Sequence, residues 1–120
     1  MKLLYVEDNK ELREMVVNVI ETRFPFVKIV EASGVGEAIR ATLQHTFDII
    51  ICDYNLGDGT GGDFYVWLKA TNQPNVEFVL CTSHDKSELA EFNKEPHIRE
   101  IDKTNIFRSI VAFFKEKKTA

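Results

Sequence analysis

Cysteine is scarce. The 120 residues hold only two, Cys52 and Cys81, each inside an apolar run and without the spacing of a metal knuckle. A disulfide framework and a structural zinc site are therefore excluded, and both residues read as reduced core thiols. Long hydrophobic runs are absent as well. The longest spans about five residues, against about 20 for a bilayer-spanning helix, so no membrane association is expected. The N-terminal Met1-Lys2-Leu3-Leu4-Tyr5-Val6 opens like a signal peptide, but Glu7 and Asp8 end its apolar stretch too early. A basic excess is missing: 15 Lys and Arg stand against 19 Asp and Glu, a net charge of -4. That argues against direct nucleic-acid binding, which draws on counterion release by a basic face. With 44% hydrophobic and 28% charged residues, the chain has the makeup of a soluble folded domain, expected in the cytoplasm. Its length suits one domain over 1–120 with one core.

Apolar strand runs alternate with helical patterns. Residues 3–6 read as a buried strand, after which Asn9 can cap a helix whose Leu12, Val16, Val19 and Ile20 recur at helical spacing to Arg23, before Pro25. A second strand is predicted over 27–32. Ser33 can cap the next helix, with Val35, Ala38, Ile39, Thr42 and Leu43 on its inner face. The third strand, 47–52, holds Ile49-Ile50-Ile51 and ends at Asp53. Residues 53–62, with Gly57, Gly59, Gly61 and Gly62, read as a loop, and a helix with Phe64, Trp67 and Leu68 follows. A turn at 72–75 leads to a fourth strand over 76–81, a short helix over 86–93 with Leu89 and Phe92 inward, and a fifth strand over 98–102. Thr104 or Asn105 can cap a last helix with Ile106, Phe107, Ile110, Val111, Phe113 and Phe114 on one face. Trp67 and the phenylalanines read as core. Five strands alternating with five helices imply an α/β fold: a doubly wound parallel sheet with helices on both faces.

In such a sheet ligands bind beyond the carboxyl ends of the strands. Every strand end but the second carries reactive or polar side chains: Glu7-Asp8, Asp53, Thr82-Ser83 and Lys103. Taken singly, these are ordinary caps, turn residues and surface charges. Together they bring three carboxylates to one edge, where mutual repulsion resists full ionisation. A divalent cation such as Mg2+, which takes a few carboxylates, a backbone carbonyl and waters, removes that repulsion. The lysine suits an incoming anion, and a hydroxyl can bond the same anion. The set fits phosphoryl transfer to a carboxylate nucleophile.

At this point the sequence resembles, along its whole length, the receiver domain of two-component response regulators. The matching pieces are Leu3-Leu4-Tyr5-Val6-Glu7-Asp8-Asn9, Asp48-Ile49-Ile50-Ile51-Cys52-Asp53-Tyr54-Asn55-Leu56, Gly61, Val79-Leu80-Cys81-Thr82-Ser83 and Lys103. The resemblance implies a flavodoxin-like (βα)5 three-layer sandwich of strand order 2-1-3-4-5. It implies that Asp53 accepts a phosphoryl group from a histidine kinase or a histidine phosphotransfer protein, in a phosphorelay switch that catalyses only its own phosphorylation and dephosphorylation. Glu7 and Asp8 match the acid pair. Asp8, Asp53 and the Asn55 backbone carbonyl match the Mg2+ ligands, with Glu7 beside them. Thr82 and Lys103 match the residues that contact the phosphoryl group. Asn55, Ser83, His84 and Glu100 are candidate modulators of the site; His84 could govern access of water but reads more readily as a solvated loop residue. His45 and His97 read as surface residues. The resemblance also implies an output partner and a homodimer face made by the fourth helix, fifth strand and fifth helix.

Three positions depart from the family's pattern. Thr104 follows Lys103 in place of a proline, so a trans bond or a rearranged loop is expected, since a cis bond without proline costs about 3–4 kcal/mol. Glu100 stands where the family has an aromatic that swings inward. Gly57 replaces a proline four residues after Asp53, which loosens that loop. Two other readings compete. A phosphorylation-independent interaction module is favoured by Glu100 and Thr104 and opposed by the intact Asp53, Thr82 and Lys103. An aspartate-nucleophile phosphohydrolase is opposed by Asn55, which stands where such enzymes carry a second aspartate.

Overall fold

A computed structural model describes residues 1–71, 75–82 and 98–119. Strands β1 (Lys2–Val6), β2 (Lys28–Ala32), β3 (Ile49–Asp53), β6 (Glu77–Thr82) and β7 (Arg99–Asp102) form one parallel sheet in the order β2-β1-β3-β6-β7. The two-residue strands β4 (Asn55–Leu56) and β5 (Gly59–Thr60) make a separate antiparallel ribbon. With that ribbon set aside, the order is the expected 2-1-3-4-5. The helices are α1 (Lys10–Arg23), α2 (Val35–Gln44), α3 (Gly61–Ala70) and α4 (Ile106–Thr119). The helix expected over 86–93, with Leu89 and Phe92, lies outside the described residues, as do His84 and His97.

Strand alternation builds two cores. Leu3, Tyr5, Ile49, Ile51, Val79, Cys81 and Ile101 face one side and pack with Val16, Val17 and Ile20 of α1 and Ile110, Phe113 and Phe114 of α4. Leu4, Val6, Ile50, Cys52, Phe78 and Leu80 face the other, against Ala38 and Ala41 of α2 and Phe64, Tyr65 and Leu68 of α3. All five residues of β3 are buried, because helices cover both of its faces. The edge strands β2 and β7 are the more exposed and more polar ones, which discourages pairing with another chain. Cys52 and Cys81 are free and buried, as expected, one in each core.

Local details refine the expectations. Asn9 caps α1 by accepting from the Leu12 N–H at 3.0 Å. α2 starts from Gly34 rather than Ser33, whose hydroxyl donates to Glu37 instead. Leu43, expected inside, is 70% exposed, while Ala41 is buried with Ala38 and Thr42 on the inner face. The segment 53–62 is not a plain loop. Four of its ten residues pair as the β4–β5 ribbon, and α3 begins at Gly61 behind a Thr60–Asp63 capping box. A 3-10 turn at Lys103–Asn105, capped by Asp102, leads into α4: the Asp102 carboxylate accepts from the Thr104 N–H at 3.0 Å and from the Thr104 hydroxyl at 2.7 Å. The Lys103–Thr104 bond is trans, as expected. Trp67 is half-buried, stacked on Phe64 at 6.3 Å, and Phe26 is exposed. His45 is exposed, as read, with its Nδ1 2.8 Å from Lys2 Nζ.

Replacing a fully buried branched side chain leaves a cavity, whereas an exposed leucine has none to leave. Ile110→Ala should therefore cost about 3 kcal/mol of stability, and Leu43→Ala no more than about 0.5 kcal/mol. Urea unfolding of the two variants measures both, and equal losses would contradict this placement of the α2 and α4 faces.

Candidate functional site

The site is the next step of one sheet row. Tyr5 and Ile51 pair across β1 and β3 and face the α1/α4 core. Two residues further along each strand, the alternation presents Glu7 and Asp53 at the carboxyl edge. Asp53 pairs with Cys81, and Cys81 with Ile101, two residues before Lys103. The apolar rows thus place residues of distant sequence within reach of one another. Lys103 Nζ donates to Asp53 Oδ2 at 2.7 Å and lies 3.0 Å from Glu7 Oε1. Asp53 is 4% exposed and Glu7 only 1%. Asp8, exposed, joins them: one oxygen from each of Glu7, Asp8 and Asp53 lies within 4.8 Å of the others.

Burial raises the Glu7 pKa to about 7; the Asn9 N–H, donating to Oε2 at 3.1 Å, works against this, and the charge of Asp53 adds to it. Glu7 Oε1 is buried without a hydrogen-bond partner, the ammonium of Lys103 lying close but off a hydrogen-bond direction. Burial pulls the Lys103 pKa down, but Asp53 and Glu7 outweigh it and hold the ammonium above its ordinary range. The lysine compensates one of the three carboxylates. The remaining negative charge, together with the orphaned Glu7 oxygen and an all-oxygen donor set, fits a hard divalent cation.

Four further sequence-marked residues take definite places. Thr82 is buried at the end of β6 beside Asp102 in register. Asn55 is exposed in β4, two residues past Asp53. Glu100 is exposed on β7 opposite Leu80, away from the carboxylates, as expected of a charged side chain there. Gly61 gives α3 room to abut the site: a Cβ there would stand 2.6 Å from the Asp53 carbonyl oxygen, and the Gly61 N–H donates to the Tyr54 carbonyl at 2.7 Å. Ser83 and His84 lie outside the described residues. Two contributors escaped the sequence reading. Arg13 Nη1 donates to the Glu7 carbonyl at 2.7 Å while its Nε pairs with Glu31 at 3.2 Å. Asp58 accepts from the Val35 and Gly36 N–H groups at 2.8 and 3.0 Å. Neither belongs to a periodic pattern; the one available signal was an acidic residue in a glycine-rich turn.

The raised Glu7 pKa has a defined consequence for the metal-free protein. The folded state holds the Glu7 proton more tightly than the unfolded chain, so this contribution to stability is complete below the ordinary value of 4.5 and disappears as pH rises to about 7. Denaturation between pH 4.5 and 8 without metal should show stability falling with pH, and Glu7→Gln should flatten that slope. An unchanged slope in the variant would refute the burial of an ionisable Glu7.

The family model described as the response regulator receiver domain matches residues 3–105. Among curated relatives, a sensory transduction protein LytR of Staphylococcus haemolyticus is 29% identical over 77% of this chain and 36% of its own length. That of Staphylococcus epidermidis is 30% identical over 77% and 36%. The chain thus spans little more than a third of the curated relatives it matches. Among solved structures, a CheY-like response regulator receiver domain protein of Methanospirillum hungatei is similar in fold, with a TM-score of 0.82 at 19% identity over 97% of this chain and 91% of that one. The response regulator TrrA of Thermotoga maritima, solved with Mg2+ and BeF, has a TM-score of 0.77 at 17% identity over 96% of both chains. With the family model covering nearly the whole described sheet, and a flavodoxin-like strand order that ends in an acidic cluster and a lysine, the chain belongs to the response regulator receiver domain family.

Proposed function

We propose that Asp53 is the phosphoacceptor of a phosphorylation-dependent switch, charged by a histidine kinase or a histidine phosphotransfer protein. The observation that carries this reading is the buried contact of Asp53 with Lys103 at 2.7 Å inside a three-carboxylate cluster. A carboxylate kept mainly for stability would not be packed against two others at the ligand-binding edge of a sheet. Asp53 attacks the phosphorus of a phosphohistidine; the P–O bond forms, the P–N bond breaks, and its electron pair stays on the departing imidazole. Water attacking the same phosphorus reverses the state and returns the carboxylate and inorganic phosphate. Lys103 neutralises charge on the phosphoryl oxygens, and the Thr82 hydroxyl donates to one of them. Asp8, Asp53 and the Asn55 carbonyl, with Glu7 beside them, would hold Mg2+, which would supply further charge compensation for the phosphoryl oxygens. The output partner would read the change at Thr82 and Lys103. Cytoplasmic residence and a homodimer through the face of β7, the segment before it and α4 go with the same reading; no described helix is long and apolar enough to cross a membrane.

Exposure to acetyl phosphate with Mg2+, followed by intact mass, tests it. Wild type should gain one acid-labile phosphoryl group and Asp53→Asn none; phosphorylation of that variant at the wild-type rate would place the site elsewhere. Calorimetry should find Mg2+ bound more weakly by Asp8→Asn than by Glu7→Gln, and equal affinity in both variants and wild type would remove the metal from the cluster.

A phosphoryl group introduces strong acceptor oxygens, and Glu100 cannot follow an inward path without burying its charge beside an acidic site. Beryllofluoride with Mg2+ should shift the amide signals of Thr82 and Lys103 while that of Glu100 moves little. A large shift at Glu100 with Thr82 unmoved would reverse the assignment of the switch residues.

A further inference from the structure

We propose that Asp58 is a positioning residue for the metal site: it ties the loop that carries the Asn55 carbonyl to the N-terminus of α2. The inference rests on the metal reading given above. The segment between Asp53 and α3 is held at its base by two backbone hydrogen bonds, Tyr54 N–H to the Cys81 carbonyl at 2.9 Å and Gly61 N–H to the Tyr54 carbonyl at 2.7 Å. Between them, Asn55 and Leu56 pair with Thr60 and Gly59. A two-residue ribbon is far too short to be rigid alone. Its turn holds Gly57 and Asp58, and Gly57 has nothing within 4 Å of where a Cβ would be. The proline that would stiffen this turn is absent.

Asp58 supplies the missing constraint from outside the loop. Its two carboxylate oxygens accept separately from Val35 and Gly36, the first two N–H groups of a helix whose own N-cap, Gly34, makes no side-chain cap bond. The fork fixes the orientation of the turn as well as its position. Gly34 is built for it: a Cβ there would lie 2.6 Å from Asp58 Oδ1. On the other side of the turn, Gly59, at φ +156°, would place a Cβ 3.1 Å from Val35. The tip of the ribbon is therefore docked on α2, and the Asn55 carbonyl, one pair further along, takes its direction from that docking. A residue that only capped α2 would need no ribbon behind it and no glycine opposite.

Calorimetric Mg2+ titration and amide hydrogen exchange separate these roles. Asp58→Ala should weaken Mg2+ binding about tenfold, the scale of losing an outer-shell partner, and should strip protection from the Val35 and Gly36 amides. Gly34→Ala, which evicts the carboxylate from the other side, should do the same while leaving Asp58 present. Adding Gly57→Pro to Asp58→Ala should recover most of the Mg2+ affinity without restoring those amides. Gly57 does not have a positive φ, follows a strand residue, and has open space where a Cβ would stand, so nothing in its surroundings opposes a proline there. Wild-type Mg2+ affinity in Asp58→Ala and Gly34→Ala, or no recovery on adding the proline, would overturn the positioning role. A wild-type protein that itself binds no Mg2+ would instead remove the underlying metal reading, a failure visible before any variant is made.

Discussion

The structure depends on the ammonium of Lys103 lying between two buried carboxylates, 2.7 Å from Asp53 and 3.0 Å from Glu7. Two such acids brought together in a low-dielectric edge would repel one another enough to drive one of them to hold its proton. The Glu7 pKa is raised chiefly by burial, with the charge of Asp53 adding to it and Lys103 working against it. With Asp8 on the rim, the cluster still carries excess negative charge. That excess suits a divalent cation, which would make the three carboxylates compatible with one another.

The rest of the fold keeps this geometry fixed. The interacting atoms belong to Glu7, Asp53 and Lys103, so nothing local holds them. The in-register pairing of β1, β3, β6 and β7 does, and a slip of one residue would turn Glu7 or Asp53 into the opposite core. The register is costly to break because the three inner strands are buried on both faces. Burial of Leu3, Ile49, Ile51 and Val79 is in this sense part of the site: it supplies the stiffness that a cluster of charges cannot supply for itself.

The sheet and the cluster were legible because both follow from period two. Apolar runs ending in acids, a hydroxyl and a lysine mark strand ends whatever lies between them. Errors fell where contact, not periodicity, decides. Leu43 is the more apolar residue, yet Ala38, Ala41 and Thr42, at i, i+3 and i+4, form the inner face of α2 and leave Leu43 outside. Ser33 is the better capping residue by type, yet Gly34 holds the position because a carboxylate 24 residues away needs the space. Four glycines in ten residues concealed the β4–β5 ribbon, since glycine carries no alternation to read. Arg13 lies on the helix face that packs toward Glu7 and Glu31, and its contact with the Glu7 carbonyl has no sequence signature at all.

A proline after Asp53 and the Asp58 fork are different ways of restraining the same loop. A proline restrains the loop in the unfolded chain as well as the folded one, so its effect does not depend on what the loop touches. The fork exists only when α2 is docked. Loop order and helix order therefore become one equilibrium here: α2 cannot leave its place without loosening the turn beside Asn55, and the turn cannot reorganise without exposing the first N–H groups of α2. The tether connects the loop after Asp53 to α2, which lies on the opposite side of the sheet from α1 and α4.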